Sequence, residues 1–345
     1  MSRRPVHVLG FAQTPQVRRD ATFDEAELVQ RVTAAALADA GLSRSDVGFT
    51  CSGSNDYVMG RPFSFVTALD GLGAWPPIRE SHVEMDGAWA LYEAWVRLQH
   101  GDVDVALVYA FGKSSVGDMD AVQGLMLDPY TLAPLHPPAV ALAALQARVM
   151  LDRGLCTERD FAAAVAAAQA AGLNNPAIPR PEASEIEALL AAPFVSSPLR
   201  AHDAAQGTDG AAALVLAVGG TGPRIAGISH HIDAHHPGLR DLSTVPSVRR
   251  SAAAIGFDAG TLDVAELHAP YSSQQVLLER ALGLSAATAV NPSGGALCAE
   301  TPMVAGLLRI GEAAAAVRRG ARRALGHATS GPCLQHNLLC LLEAP

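Results

Sequence analysis

The chain alternates short strand-like apolar runs with longer stretches in which apolar residues recur every three or four positions. Early on, the strand-like runs are VHVLGFA (Val6–Ala12), DVGFTCS (Asp46–Ser52) and DVALVYAFG (Asp104–Gly112). Later ones are LVLAVGG (Leu214–Gly220) or RIAGISH (Arg224–His230), then DVAELHA (Asp263–Ala269) and ALGHATS (Ala324–Ser330), with LLCLL (Leu338–Leu342) last. None alternates strictly between apolar and polar. That predicts buried, mostly parallel strands flanked by helices, an α/β chain.

The pattern is duplicated. AAALADAGLSRSDVGFTCSGS (Ala34–Ser54) runs through a helix pattern, a Gly stop, a polar turn and an Asp-Val strand start, and RSAAAIGFDAGTLDVAELHAP (Arg250–Pro270) repeats that order. LQHGDVDVALVYAFG (Leu98–Gly112) is echoed by AVRRGARRALGHATSG (Ala316–Gly331). Asp46 and Asp263 lie 217 positions apart, and Gly101 and Gly320 lie 219 apart, so two markers share nearly one offset. Residues 1–117 are read as one half and 219–345 as the other. Between them, residues 118–200 form an insertion whose end rejoins the first half by about residue 218. An Ala-rich helix (Phe161–Ala171) and the Pro-rich NNPAIPRPE loop mark it as a region suited to covering a substrate.

Composition narrows the partners. A net charge of -9 argues against nucleic acid, which favours a basic face. Arg318, Arg319, Arg322 and Arg323 form the one basic cluster; a solvated helix face and a contact with a CoA phosphate or a partner are its two readings. No window approaches the roughly 18 apolar residues of a membrane span, and the N-terminus lacks a signal-peptide pattern, so a soluble cytoplasmic protein is expected. Cys51, Cys156, Cys298, Cys333 and Cys340 are scattered without paired spacing, as reduced thiols would be. The HHIDAHH run (His230–His236) has no second ligand cluster at zinc-site spacing and reads as a polar surface loop, so no metal is expected. GTDGAAALVLA lacks the P-loop Lys and the dinucleotide spacing. Lys113-Ser114-Ser115 ends a strand and reads as a simple turn of the chain.

Several longer segments carry a family resemblance. They are VHVLGFAQTP (Val6–Pro15), PFVSSPLR (Pro193–Arg200), LRAHDAAQGTDGAAALVLA (Leu199–Ala217), ELHAPYSSQQVLLERALGL (Glu266–Leu284), VNPSGGAL (Val290–Leu297) and GHATSGPC (Gly326–Cys333). On these the chain resembles the thiolases, and among them the sterol-carrier-protein-type thiolases and the lipid-transfer-protein aldolases of steroid side-chain breakdown. The resemblance implies the thiolase fold: two duplicated mixed-sheet halves in a five-layer αβαβα arrangement, dimeric and acting on acyl-CoA thioesters. It also implies a Cys nucleophile at a helix N-terminus, an oxyanion hole from HDxF- and GHPxG-type motifs, and a second Cys as acid and base.

Residue by residue, the catalytic motifs have changed. VEMDGAWAL (Val83–Leu91) places Glu84 at the nucleophile position, or Met85 if the register slips by one. HAPY keeps His268, with Ala269 for the acid and Tyr271 for the aromatic residue; ETPMV puts Thr301 where the second His belongs; the SGPC turn carries Cys333 near the distal Cys position. The resemblance gives the thioester to the NPSGG turn, with Asn291, Gly294, Gly295 and Cys298 as the residues nearest it. Cys298 and Cys333 read either as reactive thiols or as buried packing. Glu84 with Asp86 reads either as a general-base pair or as an ion pair beside a helix cap, and Tyr271 either as a proton donor or as a packing replacement for Phe.

Two functions remain. In one, the chain cleaves a carbon-carbon bond of a CoA thioester by a retro-aldol or thiolase-like step, His268 polarising the carbonyl and Tyr271 or Glu84 moving the proton. In the other it is a non-catalytic thiolase-like subunit paired with an active paralogue, and the resemblance implies a zinc-ribbon/OB-fold partner protein. No tightly bound cofactor is expected under either, CoA entering as part of the substrate.

Overall fold

A computed structural model describes residues 4–73 and 79–345. In the first half the strands are β1 (Val6–Gln13), β2 (Phe49–Gly53), β3 (Glu80–Val83) and β4 (Val105–Lys113). A small hairpin, β5 (Phe194–Ser196) with β6 (Leu199–Arg200), precedes β7 (Asp209–Val218). The second half holds β8 (Arg224–Ile232), β9 (Val264–Glu266), β10 (Ala289–Val290), β11 (Arg323–Ser330) and β12 (His336–Glu343). The first-half helices are α1 (Glu25–Ala40), α2 (Asp56–Met59), α3 (Ser64–Leu72) and α4 (Gly87–His100). The insertion contributes α5 (Met119–Leu125), α6 (Ala139–Asp152), α7 (Glu158–Gly172) and α8 (Ile186–Ala191). Then come α9 (Pro246–Ala254), α10 (Ser272–Leu282), α11 (Gly295–Cys298) and α12 (Ala305–Arg318).

The strand order β10-β9-β11-β12-β8-β1-β7-β4-β2-β3 is two copies of one five-strand plan meeting at β8 and β1, where a single residue pair, His7 with Arg224, joins them. RIAGISH thus opens the second half, and LVLAV closes the first. The outer strands pair in parallel, β2 with β3 and β4, and β9 with β10 and β11. Toward the middle the pairing is antiparallel, β7 with β4 and β1, and β12 with β11 and β8. The expectation of a mostly parallel sheet therefore holds only at its ends. The excursion after β4 leaves and returns at one end of the sheet, which forces β7 to run back alongside β4. β3, the polar segment Glu-Ser-His-Val, went unrecognised because only one of its four residues is apolar.

Side-chain alternation builds the layers. On β4, Ala106, Val108 and Ala110 face an inner core, while Leu107, Tyr109 and Phe111 face an outer one. On β12, Leu338, Cys340 and Leu342 join the same inner core, and Leu339 and Leu341 face the other outer layer. Because both strand faces are buried, the sequence shows no polar alternation to read. Two helices, α4 and α12, fill the space between the half-sheets; α1 and α3 cover one outer face, and α6, α9 and α10 the other. The result is five layers, αβαβα. Close packing of the two central helices uses small residues: a Cβ at Gly306 would meet Ala328 Cβ at 2.4 Å, and one at Gly87 would meet Ala110 Cβ at 2.6 Å. Among the described residues no helix is long and apolar enough to cross a membrane.

Candidate functional site

His268 follows β9, at the carboxyl ends of the parallel strands where ligands bind in open α/β sheets. It is 6% exposed. Its backbone N–H donates to His327 O, fixing it beside β11, and its Nδ1 accepts from Thr329 N at 3.4 Å. With Nδ1 accepting, the ring proton sits on Nε2, which lies 3.1 Å from Glu300 Oε1. His268 thereby donates to Glu300. The backbone of Glu300 is clamped on both sides: its N–H donates to Gln206 O and its carbonyl accepts from Thr208 N, each at 2.9 Å.

Tyr271 lies three residues beyond His268, at the N-cap position of α10, but its side chain caps nothing. Burial first, then the negative charges of Glu300 and Asp120, push the phenol pKa above its ordinary value. The phenol therefore keeps its proton at neutral pH. Asp120 belongs to α5 of the insertion, so the insertion brings a negative charge within electrostatic reach of Tyr271.

On the inner side stands Asp86. Its buried carboxylate accepts from Ala88 N at 2.8 Å in α4, and from Gly306 N at 2.9 Å and Leu307 N at 3.0 Å in α12. One side chain thus sits at the positive ends of both central helices. Burial pushes its pKa up, and His268 and the three amides pull it back. His327, fully buried with Nε2 3.0 Å from Asn337 Oδ1, is driven down to about 3 and stays neutral.

The remaining sequence candidates are distributed differently. Glu84 is exposed; its carboxylate accepts from Asp56 N at 2.5 Å and meets His82 Nε2 at 3.0 Å, and neither partner belongs to the His268 cluster. Met85 packs against the inner core. Thr301 is buried, its hydroxyl 2.9 Å from that of Thr208, the residue just before β7, so it is tied down beside Glu300. Cys333 Sγ donates to Leu142 O at 3.4 Å, and Cys298 Sγ donates to Ala168 O at 3.2 Å. Burial raises both thiols to about 11, and Cys340, Cys156 and Cys51 are likewise raised. Arg240 near Cys333 and Arg309 near Cys298 pull the thiols back toward the thiolate, but burial outweighs them.

The NPSGG turn is stiffly built. Asn291 Oδ1 accepts from Leu267 N at 2.6 Å, and its amide donates to Gln275 Oε1 at 3.2 Å. Gly294 at φ 97° leaves no room for a Cβ, which would fall 2.9 Å from Gly172 Cα. Below the turn, the buried Arg309–Glu266 pair at 2.8 Å also takes in the Ser293 hydroxyl. These contacts shape the loop that presents Glu300.

The basic cluster is largely consumed at home: Arg318 pairs with Asp39, Arg322 with Asp263, and Arg323 with Glu343 and Thr261. His230 and His231 lie on β8 rather than in a surface loop, His230 packing edge-on to Tyr92 and reaching His336 Nε2 at 2.9 Å. His235 turns away to Asp128. Lys113 donates to Phe23 O and Ser115 to Asp209, tying down the end of β4. A cavity of about 400 Å³ lies between α6 and residues 236–242, lined by Leu132, Leu142, Leu145 and Val149, behind the Cys333 turn.

Glu300 is the residue beside His268 to which the sequence reading gave no role, whereas Asp86 was read with Glu84 as a general-base pair or as a helix cap, and the structure makes it a cap. Glu300 is the first residue of the quoted ETPMV segment, a Glu where the family motif has Gly, and that replacement was the available signal. Asp86 was visible as a helix cap, but nothing local announces that it spans to a second helix 220 residues away.

No family model matches the chain, and no curated protein does. Solved structures do. An Ltp2-ChsH2(DUF35) aldolase superposes with a TM-score of 0.78 at 18% identity, over 99% of this chain and 98% of that one. Human mitochondrial 3-ketoacyl-CoA thiolase gives 0.79 at 17% identity, over 99% of each. The Bacillus anthracis acetyl-CoA acetyltransferase gives 0.82 at 15% identity, over the full length of both. With the duplicated five-layer architecture, these similarities establish that the chain has the thiolase fold.

Proposed function

We propose that the protein binds an acyl-CoA thioester and cleaves a carbon-carbon bond in it by a retro-aldol step that needs no cysteine. The observation that carries this reading is the placement of Tyr271, a phenol three residues beyond His268 at the carboxyl ends of the strands, whose side chain caps nothing and feels the charge of Glu300. A retro-aldol step requires a base for the β-hydroxyl, a donor that stabilises and then protonates the departing enolate, and no acyl-enzyme. Tyr271 suits the donor role. His268, its Nε2 proton already held by Glu300, orders the site more than it polarises a carbonyl. The raised pKa of every cysteine thiol supports chemistry without a thiolate, and the engaged carboxylate of Glu84 draws the proton-transfer role away from the old nucleophile position.

The neighbour named as an aldolase of two components, Ltp2 and ChsH2(DUF35), favours a heteromer in which this chain is one subunit; a lipid or steroid side chain is proposed as the acyl group on the resemblance of the sequence segments alone. A second reading, a non-catalytic subunit paired with an active paralogue, draws support from the replaced nucleophile and from Thr301 in place of the second motif His. Thioester cleavage assays decide between them, on the chain alone and co-expressed with its genomic neighbours. If Tyr271→Phe lowers kcat by 100-fold or more in whichever species is active, the enzymatic reading stands; unchanged kcat with intact assembly leaves the structural subunit.

A further inference from the structure

We propose that Glu300 is the general base of the site and that His268 is its positioning residue. The inference rests on the thioester-cleaving reading above and names the group that reading leaves open. The Glu300 side chain keeps 24% exposure, whereas His268 behind it keeps 7%, so the carboxylate is the member of the pair a substrate can reach. Its position is set twice over. The backbone is clamped between Gln206 and Thr208, in a parallel bridge with Gly207, and Oε1 is held by the His268 Nε2 proton. His268 is fixed in turn by Thr329 N on Nδ1, which gives the ring one tautomer and one direction to donate. A base, an orienting imidazole and a backbone donor behind it form the supported constellation that acid-base catalysis requires. Tyr271 feels the charge of Glu300, so the proton donor and the proposed acceptor stand within electrostatic reach of one another.

The step balances without any further reactant. Glu300 takes the proton of the β-hydroxyl of a 3-hydroxyacyl thioester. The freed oxygen electrons form the carbonyl as the Cα–Cβ bond breaks, and that bonding pair becomes the thioester enolate. Tyr271 gives its proton to Cα, releasing the shortened thioester, and the proton on Glu300 returns to the phenolate. One 3-hydroxyacyl thioester yields one carbonyl compound and one acyl thioester. Nothing is oxidised or reduced overall.

Run backward from the product side, the same relay exchanges the Cα protons of acetyl-CoA with solvent, so acetyl-CoA in D2O is the probe. Deuterium incorporation is followed by mass spectrometry with the full chain, alone and in its co-expressed complex, alongside cleavage of a panel of 3-hydroxyacyl-CoAs. Glu300→Gln keeps the shape and still accepts from His268; it is expected to slow exchange by 100-fold or more while acetyl-CoA affinity and melting temperature hold. Glu300→Ala is expected to regain part of the exchange with added formate, a rescue that a merely structural carboxylate would not show. His268→Ala is expected to lower the exchange rate because it frees Glu300 from its donor, and His268→Gln, which keeps an N–H donor, to restore part of it. Wild-type exchange by Glu300→Gln would overturn the base while leaving the cleavage reading intact. No exchange and no cleavage by any wild-type species would overturn both.

Discussion

The two halves share one strand order, yet they handle their helix ends in opposite ways, and the site lies where the difference is greatest. In the first half, the helix after β2 is capped by Asn55, whose side chain accepts from Val58 N, and α4 is capped by Asp86. In the second half, the matching cap positions are Tyr271 before α10 and Val304 before α12, and neither side chain caps anything. The first α12 amides are met from across the molecule by Asp86. Half one caps α1, α2 and α4 with its own polar side chains and leaves α3, behind Phe63, without a side-chain cap, whereas half two leaves Tyr271 unengaged by backbone and borrows a cap. A side chain released from capping is available for chemistry.

The sharpest way to break this comparison is at the borrowed cap. Asp86→Ala removes one carboxylate but strands three buried amides at two helix N-termini, so a loss of about 3 kcal/mol or more in denaturant unfolding is expected. Asp86→Asn retains an acceptor oxygen and should lose about half as much. A cost below about 1 kcal/mol for Asp86→Ala would show that the halves do not depend on that bridge.

Next in size is the contrast between Asn55 and Tyr271, which occupy matching cap positions. Asn55→Ala should cost about 1 kcal/mol of stability and leave thioester turnover unchanged. Tyr271→Phe should do the reverse, lowering kcat about 100-fold with a melting temperature close to that of the wild type. If both variants lose stability and neither loses turnover, the two positions are equivalent caps and the site lies elsewhere.

The reach of sequence reading follows the same division. The duplicated Asp-Val and Gly markers located both halves because they belong to turns and strand starts, whose requirements are local. His268 and Tyr271 were legible because they sit in a recognisable segment with fixed spacing. What escaped depends on contacts distant in sequence. Asp86 joins Gly306 across 220 residues, and Glu300 acquires meaning only when Gln206, Thr208 and His268 close around it. The antiparallel middle of the sheet escaped for a related reason: strand direction is set by where a long excursion returns, not by the composition of the strand.

The halves should also separate in their response to acid. His327 and His336, both in the second half, have pKa values lowered by burial to about 3 and about 4. An unfolded histidine titrates near 6.5. Above that pH neither state is protonated and these groups contribute no pH dependence; as pH falls from about 6.5 toward 4 the unfolded chain takes up protons that the fold refuses, and stability drops. His336→Gln keeps an acceptor for Trp89 Nε1 and should shrink the stability difference between pH 7 and pH 4.5 by about 1–2 kcal/mol. An unchanged pH profile in His336→Gln would mean that protonated His336 is accommodated in the folded state.

The smallest effect is expected at the cysteines, and it bears most directly on whether a thiol takes part in the proposed reaction. Cys298 and Cys333 each donate a weak S–H bond to a helix carbonyl, Ala168 O and Leu142 O, and each packs among apolar neighbours. Serine preserves the donor and nearly the volume, so Cys298→Ser and Cys333→Ser should each cost about 1 kcal/mol or less. Turnover should stay within about threefold of the wild type, because a thiol with a pKa of about 11 is a thiolate in roughly one molecule in ten thousand at pH 7. A 100-fold loss in Cys333→Ser alone would return the reaction to a cysteine and make the Tyr271 cluster its support. Equal, minor losses at both positions would leave the proton relay at the carboxyl end of β9 as the chemistry the second half has kept.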